Sequence, residues 1–524
     1  MTLQFLPSQL KRRVVTSPSA ARIECHKVTP GGAELLLLLV CAAAPRIIGA
    51  IWLPNAFGDA YAYTEQIYYM QRAILAGTFS WSNLFGFWLP LYQVTCAGIS
   101  ALFGHPFYTP KLVSAVAGAG VCLLVFILTL ELTQNRRLSL ICFAIVALNP
   151  YHILYSSSAM TDVPHAFTIL MCVYCCIQQR WFLASVFGLF AGLMRIESWT
   201  LIALIPILQL LRDRKFGIFP ILTLLAGPLL WLYVSWIAGG SPWRYFEIRN
   251  DYIVQTMSAN PSLGVFTPGR LGADLVRLVY TCNLAIMAAC CGCLLLNRNR
   301  RNLIKTLDFS PSPAAIILLL FFAHLVFLFL AYFTGNQPEI WPRYGLIFFV
   351  LGLPILASYF SRLPATRFRF SFPAVVMSFG LQFCIQLVDV TRITLKNDPN
   401  QLAAEFLGDQ RLADSALKIY CEDGAIRVLS GIPLEEFIDQ YNSPADTEAF
   451  LKSLKDQDVR FLVYKNLPDS RLDKLMKKIR AGRSGITLEE VVPRPRKKSK
   501  ETIVVYRVHG NEVAAKHPRS SNQR

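Results

Sequence analysis

Residues 33–63 read AELLLLLVCAAAPRIIGAIWLPNAFGDAYAY. The first part of this stretch, Ala33 to Leu53, is apolar and long enough to cross the hydrocarbon core of a bilayer as one helix. A carboxylate, Asp59, follows this segment almost at once. Charged groups at membrane depth are costly and usually line protein cavities. The stretch therefore predicts a membrane span that delivers an acid to a site at the far membrane face.

The composition is that of a polytopic membrane protein rather than a soluble one. Of the 524 residues, 54% are hydrophobic and only 16% are charged, and the mean hydropathy is +0.42. The net charge of +18 could suggest a nucleic-acid partner. Most Lys and Arg residues, however, lie in short clusters between apolar runs, which favours positive-inside membrane topology and no nucleic-acid binding.

Apolar runs predict about eleven membrane spans in a mainly α, polytopic fold. They cover residues 33–53, 111–132, 138–155, 163–179, 181–194, 198–211, 217–238, 271–296, 313–334, 344–361 and 370–390. A further run, 88–103, is apolar but is bracketed by Pro90 and Pro106. If it lies on the membrane surface, every strongly basic loop falls on one side, the cytoplasm. We therefore expect residues 54–110 to form one outer loop with interfacial helices.

The same charge argument predicts the domain organisation. Residues 1–32 form a cytoplasmic N-terminal tail, and residues 33–390 form the multi-pass transmembrane domain. Residues 391–510 form an extracytoplasmic α/β domain, and residues 511–524 a flexible tail. Within the α/β domain, the strand-like runs are 417–421, 425–429, 459–464 and 502–508, and the helical runs are 434–441 and 447–455.

The fourteen cysteines lie mostly inside apolar runs and show neither zinc-ligand nor disulfide spacing. For Cys172, Cys175 and Cys176 we favour packing as small apolar groups over a soft-metal site. We therefore assign no metal to the cysteines. No cofactor is firmly implied, and a divalent metal elsewhere is left open.

Four predicted outer segments carry residues suited to chemistry, and all of them lie at the ends of spans. They are Asp59, Thr161-Asp162-Val163-Pro164, Arg195-Ile196-Glu197 and Trp341-Pro342-Arg343-Tyr344. Because ionisable groups at this depth avoid lipid, we expect them to line a protein cavity.

Simpler structural roles remain open for these residues. Asp59 suits a helix N-cap, and Asp162 suits an ordinary helix start with Pro164 just inside. Arg195 and Glu197 could pair only with each other or extend to the interface.

Three further residues also have structural interpretations. Arg343 could anchor the interface beside Trp341 and Tyr344. His324, in mid-span, is favoured as a hydrogen-bonded packing residue. Arg46, in the first span, could extend outward or line the cavity, and the sequence leaves both open.

Several short motifs follow one another between residues 30 and 390. They are Gly58-Asp59-Ala60-Tyr61, Leu89-Pro90-Leu91-Tyr92, Phe103-Gly104 with Lys111-Leu112-Val113-Ser114-Ala115, Thr161-Asp162-Val163-Pro164, Gly192-Leu193-Met194-Arg195 and Pro342-Arg343-Tyr344. Their order resembles that of the C-type-fold membrane glycosyltransferases, especially the branch of the protein O-mannosyltransferases and the lipid A aminoarabinose transferase. No single motif is specific, whereas their order and spacing are more so.

The resemblance implies an enzyme whose donor is a sugar on a polyprenyl phosphate. Asp59 would be the general base that deprotonates the acceptor, with Asp162 assisting it. One principal carboxylate suits direct displacement with inversion at the anomeric carbon. The anionic leaving group requires fixed positive charge. Candidates for that charge are Arg343, Lys111, Arg244 and Arg249. The other predicted substrate-binding residues are Tyr344, Arg195, Glu197 and Tyr63. A bacterial inner membrane is the expected location.

Two positions depart from the pattern of the family. Many relatives carry a second acid directly after the catalytic Asp, whereas Ala60 stands here and Glu65 is the nearest acid that follows. Leu89 replaces a basic residue or His that is common before Pro90 in relatives. The sequence therefore gives no support to a mechanism with adjacent carboxylates, and either the donor phosphate is bound by other residues or the donor differs.

We favour a glycosyltransferase that acts on a lipid, glycan or protein acceptor, and two other functions stay open. A transporter or flippase for a lipid-linked sugar should have internal repeats with broken spans in matching halves, and none is evident. A non-catalytic membrane assembly factor would tolerate changes at the outer-face acids but not in its C-terminal domain.

Overall fold

The structure is a computed structural model. It describes residues 30–55, 57–259, 268–297, 311–337, 339–396, 398–414, 417–439, 443–444, 446–465, 471–480, 486–491 and 503–510. Most of the predicted N-terminal tail and the whole predicted tail at 511–524 lie outside these residues.

Helices dominate the described part of the chain, as the composition predicts. In chain order they are α1 Gly32–Trp52, α2 Gly58–Leu75, α3 Leu91–Phe103, α4 Thr109–Thr133, α5 Arg136–Leu148, α6 Pro150–Ser156, α7 Asp162–Ile177, α8 Trp181–Gly192, α9 Leu201–Asp213, α10 Ile218–Gly239, α11 Arg244–Ala259, α12 Pro268–Cys282, α13 Leu284–Asn297, α14 Pro313–Phe333, α15 Gly345–Ser361, α16 Ala365–Lys396, α17 Asp398–Ala413, α18 Gly424–Leu429, α19 Thr447–Asp456 and α20 Arg471–Arg480.

The protein is an integral membrane protein. Among the described residues, 6 helices are long and apolar enough to cross a membrane: α1, α4, α10, α14, α15 and the apolar part of α16. The bent pairs α5–α6 and α12–α13 raise the number to 8 if each pair is one span. Helices α7, α8 and α9 occupy the remaining predicted segments but are shorter. The predicted count of about eleven spans is therefore not confirmed.

The ambiguous run at 88–103 contributes a short helix, α3. It has 13 residues, fewer than the roughly 20 that a spanning helix needs. Tyr92 and Cys96 of α3 pack against Ile67 and Met70 of α2. The loop after α1 therefore folds into a pair of packed helices.

Arg46 supports the sharp bend between α5 and α6, which meet at 61°. Its guanidinium is fully buried and donates to the carbonyl oxygens of Val146 at 3.2 Å and Ala147 at 3.3 Å. Carbonyl oxygens in the last turn of a helix lack the usual helical N–H partner, although that of Val146 also accepts from the N–H of Asn149 at 3.4 Å. The guanidinium also lies 2.7 Å from Nδ1 of His152. Arg46 therefore neither extends to the interface nor lines the cavity described below.

Helix α4 packs against α1, α7 and α15 in the core of the helical bundle. Helix α4 also approaches α6 closely at Gly118, where a Cβ atom would lie 2.3 Å from Oγ of Ser156. Any larger residue there would push α4 away from α6. This packing brings the N-terminal ends of α2 and α7 close to the turn that precedes α15.

The C-terminal part contains a five-stranded sheet with the order β2-β1-β3-β5-β4. The strands are β1 Lys418–Cys421, β2 Phe437–Ile438, β3 Val459–Lys465, β4 Ile486–Glu490 and β5 Ile503–Gly510. Strand β1 runs parallel to β2 and β3, whereas β5 is antiparallel to β3 and β4. Together with α18, α19 and α20 this sheet has the α/β character that the sequence predicts.

Two details of that prediction are wrong. Residues 425–429, predicted as a strand, form helix α18, because the side chain of Asp423 accepts hydrogen bonds from the N–H groups of Ala425 and Ile426 and starts a helix. Of residues 434–441, predicted as helical, the structure describes 434–439, which begin with a 3₁₀ turn at Leu434–Glu436 and continue into the edge strand β2 Phe437–Ile438. The burial of Leu434 and Phe437 in the sheet core produces the three-residue spacing that resembles a helix.

Candidate active site

A cavity of about 600 Å³ lies beside the N-terminal end of α2. This volume is typical of small-molecule sites. Its lining is rich in aromatic and charged side chains, namely Phe57, Asp59, Tyr63, Phe87, Trp88, Tyr155, Arg195, Glu197, Tyr245, Arg249, Tyr252, Glu339, Trp341, Arg343 and Tyr344. The cavity thus combines flat apolar walls with groups of both charges, which suits a ligand that has a polar ring and an anionic group.

Asp59 lies in the first turn of α2 and is not the helix cap. The N-cap residue is Phe57, and no side-chain cap hydrogen bond forms there. Instead, Nη1 of Arg343 donates a hydrogen bond to Oδ2 of Asp59 at 2.5 Å. The Asp59 side chain keeps 38% of its surface exposed, so its carboxylate is accessible from the cavity.

Arg195 links two carboxylates at the cavity wall. Its Nη1 donates to Oδ1 of Asp162 at 2.8 Å and its Nη2 to Oε1 of Glu197 at 2.7 Å. Burial alone would raise the pKa of Glu197, but the adjacent guanidinium outweighs it and holds this pKa at about 2. Glu197 is therefore a fixed anion at neutral pH and is unsuited to act as a proton acceptor.

A small pocket of about 30 Å³ adjoins the cavity below this ion pair, and a water molecule fits in that volume. Oδ2 of Asp162 and Nε2 of His324 are buried at its edge and have no hydrogen-bond partner among the described residues. Nδ1 of His324 lies 2.9 Å from the Leu320 carbonyl oxygen, which agrees with a packing role for this residue. His165, which the sequence analysis overlooked, also lines the pocket, with Nε2 2.6 Å from Oγ of Ser198.

Arg249 differs from the other two arginines of the cavity in its ionic partners. Arg195 and Arg343 each pair with a carboxylate, whereas Arg249 forms no ion pair with any residue that the structure describes. Tyr245, four residues earlier on α11, lines the same cavity. It makes edge-to-face contact with Trp231 at 5.3 Å, which fixes this part of α11. The positive charge of Arg249 is available to an anionic ligand.

Aromatic rings order the rest of the site. The guanidinium groups of Arg195 and Arg343 lie over the Tyr344 ring, 5.2 Å and 5.6 Å from its centroid. Tyr63 packs against Trp88 with ring centroids 4.5 Å apart, and its hydroxyl lies 3.3 Å from Oγ1 of Thr161. The predicted candidates Tyr63 and Tyr344 therefore both belong to the cavity wall.

Two of the predicted phosphate-binding residues do not line the cavity. Lys111 is buried at the start of α4 and donates to the Leu53 carbonyl oxygen at 2.6 Å. Arg244 pairs with Glu247 on the exposed side of α11 at 3.1 Å. Lys111 thus ties α4 to the end of α1, and Arg244 forms a surface ion pair.

One acid at the cavity, Glu339, was not among the predicted site residues. It accepts a hydrogen bond from Arg277, which also donates to Asp274 at 3.1 Å. Its only signal in the sequence is its position in the predicted outer segment just before Trp341. Among the described residues, no group of three or more His, Cys, Asp or Glu side chains is arranged to hold a metal ion.

The fold and the site define a multi-pass membrane protein with an arginine-rich cavity next to the helix pair α2–α3. A family model described as dolichyl-phosphate-mannose-protein mannosyltransferase matches residues 50–194. This match covers the segment with Asp59, Asp162 and most of the motifs quoted above.

Two solved structures share the fold over nearly the whole chain. ArnT from Cupriavidus metallidurans in the apo state is 13% identical, covers 93% of this chain and 99% of its own, and superposes with a TM-score of 0.53. The same protein bound to undecaprenyl phosphate is 14% identical, covers 94% and 100%, and has a TM-score of 0.51. No curated protein sequence matches the chain. The predicted resemblance to this branch of C-type-fold glycosyltransferases is confirmed.

Proposed function

We propose that this protein is a membrane glycosyltransferase that moves a sugar from a polyprenyl-phosphate donor to a lipid, glycan or protein acceptor. The observation that carries this proposal is the Asp59–Arg343 pair at the wall of a cavity that also contains Arg249, which forms no ion pair with the described residues. Further support comes from the shared fold with a protein crystallised with undecaprenyl phosphate and from the match to a mannosyltransferase family model.

Three charged side chains of the cavity take part in the proposed reaction, namely Asp59, Arg249 and Arg343. The acceptor oxygen or nitrogen attacks the anomeric carbon, and its proton passes to the carboxylate of Asp59. The bond between the anomeric carbon and the phosphate oxygen breaks, and the polyprenyl phosphate leaves as an anion. Arg249 and Arg343 stabilise the negative charge that develops on the leaving oxygen. Attack opposite to the leaving group inverts the anomeric centre.

Asp162 has a supporting role in this scheme. Its Oδ1 is bound to Arg195 and its side chain is only 6% exposed, so it holds that guanidinium in place rather than reaching the acceptor. This role differs from the direct assistance to Asp59 that the family resemblance implies. Glu197, with its low pKa, supports Arg195 from the other side.

The proposed location is a bacterial inner membrane, with the N-terminus in the cytoplasm and the cavity on the outer face. The loops with clustered Lys and Arg would then lie inside. The proposal is tested by mass spectrometry of envelope lipids, glycans and proteins from cells with and without the gene. A hexose or pentose mass that disappears from one component supports it, and identical spectra in all fractions contradict it.

A further inference from the structure

Helix α2 has two faces, and they contact different parts of the protein. On one face Asp59 and Tyr63 line the cavity, and Ile67 packs against α3. The opposite face presents Tyr61 and Glu65 and, further along, Tyr68 and Arg72. These four residues recur at intervals of four, three and four, which places them on one side of a helix. All four contact the part of the chain that carries the five-stranded sheet, from α17 to β5, which we call the C-terminal domain.

The centre of this second face is a partly buried group of three charges. Nε of Arg427, in α18, lies 2.8 Å from Oε1 of Glu65, and Nη1 of Arg427 donates to Oδ2 of Asp439 at 2.6 Å. The exposed fractions are 13% for Arg427 and 19% for Glu65. A second nitrogen of the same guanidinium, Nη2, lies 3.1 Å from Oε2 of Glu65. Only the Nη2–Oε2 contact is a hydrogen bond, because Nε of Arg427 and Oε1 of Glu65 have no hydrogen-bond partner among the described residues. Arg427 therefore bridges the two acids, with one hydrogen bond to Glu65 and one to Asp439 from separate nitrogens.

The ends of the face are held by further contacts. The hydroxyl of Tyr68 donates to Oε2 of Glu435 at 2.7 Å, and the Tyr68 ring belongs to the apolar core of the sheet. Tyr61, one turn before Glu65, packs against Ala425 and Val428 of α18. Helix α2 is thus packed between α3 on one side and the C-terminal domain on the other.

We propose that the C-terminal domain positions the catalytic helix, with Arg427 as the positioning residue that orients α2 and thereby Asp59. This inference rests on the proposed role of Asp59 as the general base. Glu65 follows Asp59 by six residues, which is about 9 Å along the helix axis, so rotation at Glu65 moves Asp59 directly. A misplacement of about 1 Å can cost 10²-fold in rate.

The ionic nature of the contact favours positioning over stabilisation. A buried ion pair gains little net stability, because desolvation of the two charges offsets their attraction. Its hydrogen bonds, in contrast, form only over a narrow range of distances and angles. The apolar contacts of Tyr61 and Tyr68 supply adhesion, and the bridge from Asp439 through Arg427 to Glu65 selects one rotation of α2.

The test compares three variants of the full-length protein in lipid nanodiscs. Arg427→Met leaves the carboxylates of Glu65 and Asp439 facing each other, so it should release α2. Arg427→Met combined with Glu65→Gln removes one of these two carboxylates and hence their mutual repulsion, so the exchange rate of α2 should return part of the way to that of the wild type. The control is Arg411→Met, which breaks the 2.5 Å pair with Glu436 inside the C-terminal domain without touching α2.

Three readouts separate positioning from mere stability. Hydrogen exchange of the α2 amides should be faster in the Arg427 variant than in the wild type and unchanged in the Arg411 control. Binding of undecaprenyl phosphate, the probe for the cavity arginines, should stay within about twofold of the wild type, whereas sugar transfer in cells should fall about tenfold or more. If Arg427→Met does not accumulate, Arg427→Lys is the alternative. It keeps the charge but loses the planar guanidinium that bonds Glu65 and Asp439 from separate nitrogens, so it should give the same pattern more weakly.

Two outcomes for Arg427→Met would overturn the proposal. One is hydrogen exchange of the α2 amides at the wild-type rate, and the other is faster exchange combined with wild-type levels of sugar transfer. These outcomes differ from failure of the proposed function, in which the wild-type protein itself transfers no sugar. The exchange measurement needs no substrate and remains decisive in that case.

Discussion

The guanidinium of Arg343 and the carboxylate of Asp59 lie 2.5 Å apart although 284 positions separate them in the sequence. The pair joins the first turn of α2 to the turn before α15 at the cavity wall. In the proposed reaction Asp59 accepts a proton while Arg343 stabilises a phosphate. The two groups thus orient each other before the substrates bind, and each serves a different substrate during transfer.

Arg343 should tolerate neither loss of charge nor loss of its planar shape. We expect Arg343→Gln to lower the turnover of sugar transfer by about 10²-fold or more, because it removes both a phosphate contact and the partner of Asp59. Arg343→Lys keeps the charge but cannot reproduce the guanidinium geometry, so its activity should be intermediate. Turnover measured at saturating donor tests this order, and equal activity of the Lys variant and the wild type would contradict it.

Arg249 should act mainly on donor binding. A hydrogen bond to a charged group is worth about 1.5–3 kcal/mol, so Arg249→Gln should raise the KM for the donor by roughly 10- to 100-fold. Arg244→Gln, five residues earlier and outside the cavity, is the matched control and should leave KM unchanged. Equal changes in KM for the two variants would contradict the proposed role of Arg249 in donor binding.

Arg195 should be important for stability as well as activity. Its replacement by Gln leaves Asp162 and Glu197 as uncompensated partly buried acids, and breaking a buried pair typically costs about 3–5 kcal/mol. Thermal denaturation in detergent should show a large fall in Tm. The exposed pair of Arg244 with Glu247 contributes at most about 1 kcal/mol, so Arg244→Gln should hardly shift Tm.

The contact between α2 and the C-terminal domain should weaken as pH rises. Burial raises the pKa of Glu65 from 4.5 to about 7, with Arg427 opposing and Asp439 and Asp423 adding to the effect. A pKa that is higher in the folded state stabilises the fold below pH 4.5, and this contribution is lost as pH rises through 7. One guanidinium between two carboxylates is neutral overall only when Glu65 carries the proton.

Hydrogen exchange of α2 at pH 6 and pH 8, corrected for the intrinsic pH dependence of exchange, measures this effect. Protection should be lower at pH 8 in the wild type, and Glu65→Gln should remove most of the difference. If both proteins show the same difference, Glu65 is not the titrating group.

The sequence predicted the parts of the site that lie in apolar surroundings. Asp59, Arg195 and Arg343 are conspicuous because each interrupts or ends an apolar run, and their common membrane face follows from loop charge. The structure brings all three to one cavity. The spanning helices were predictable from apolar length, and the 61° bend between α5 and α6 lies at Asn149-Pro150, a local helix-breaking sequence in which Asn149 caps α6. The bonds from Arg46, on the distant helix α1, to the Val146 and Ala147 carbonyl oxygens were not predictable.

The contacts that depend on tertiary packing could not be predicted. Lys111 looked like a phosphate ligand, but its partner is the Leu53 carbonyl oxygen at the end of α1. Arg249 and Arg244 look alike in sequence, yet only Arg249 lines the cavity, because it lies on the same face of α11 as Tyr245, whereas Arg244 pairs with the exposed Glu247. The docking of Arg427 on Glu65 joins residues 362 positions apart, and no local pattern indicates such a pairing.

The central claim is that the carboxylate of Asp59 accepts the proton of the acceptor. The most direct measurement is the amount of sugar-modified product, by mass spectrometry, in cells that produce Asp59→Asn instead of the wild-type protein at equal membrane abundance and Tm. Glu247→Gln, an exposed acid outside the cavity, is the control. The account predicts a loss of about 10²-fold or more for Asp59→Asn and none for Glu247→Gln. Wild-type product levels in the Asp59→Asn cells would contradict it.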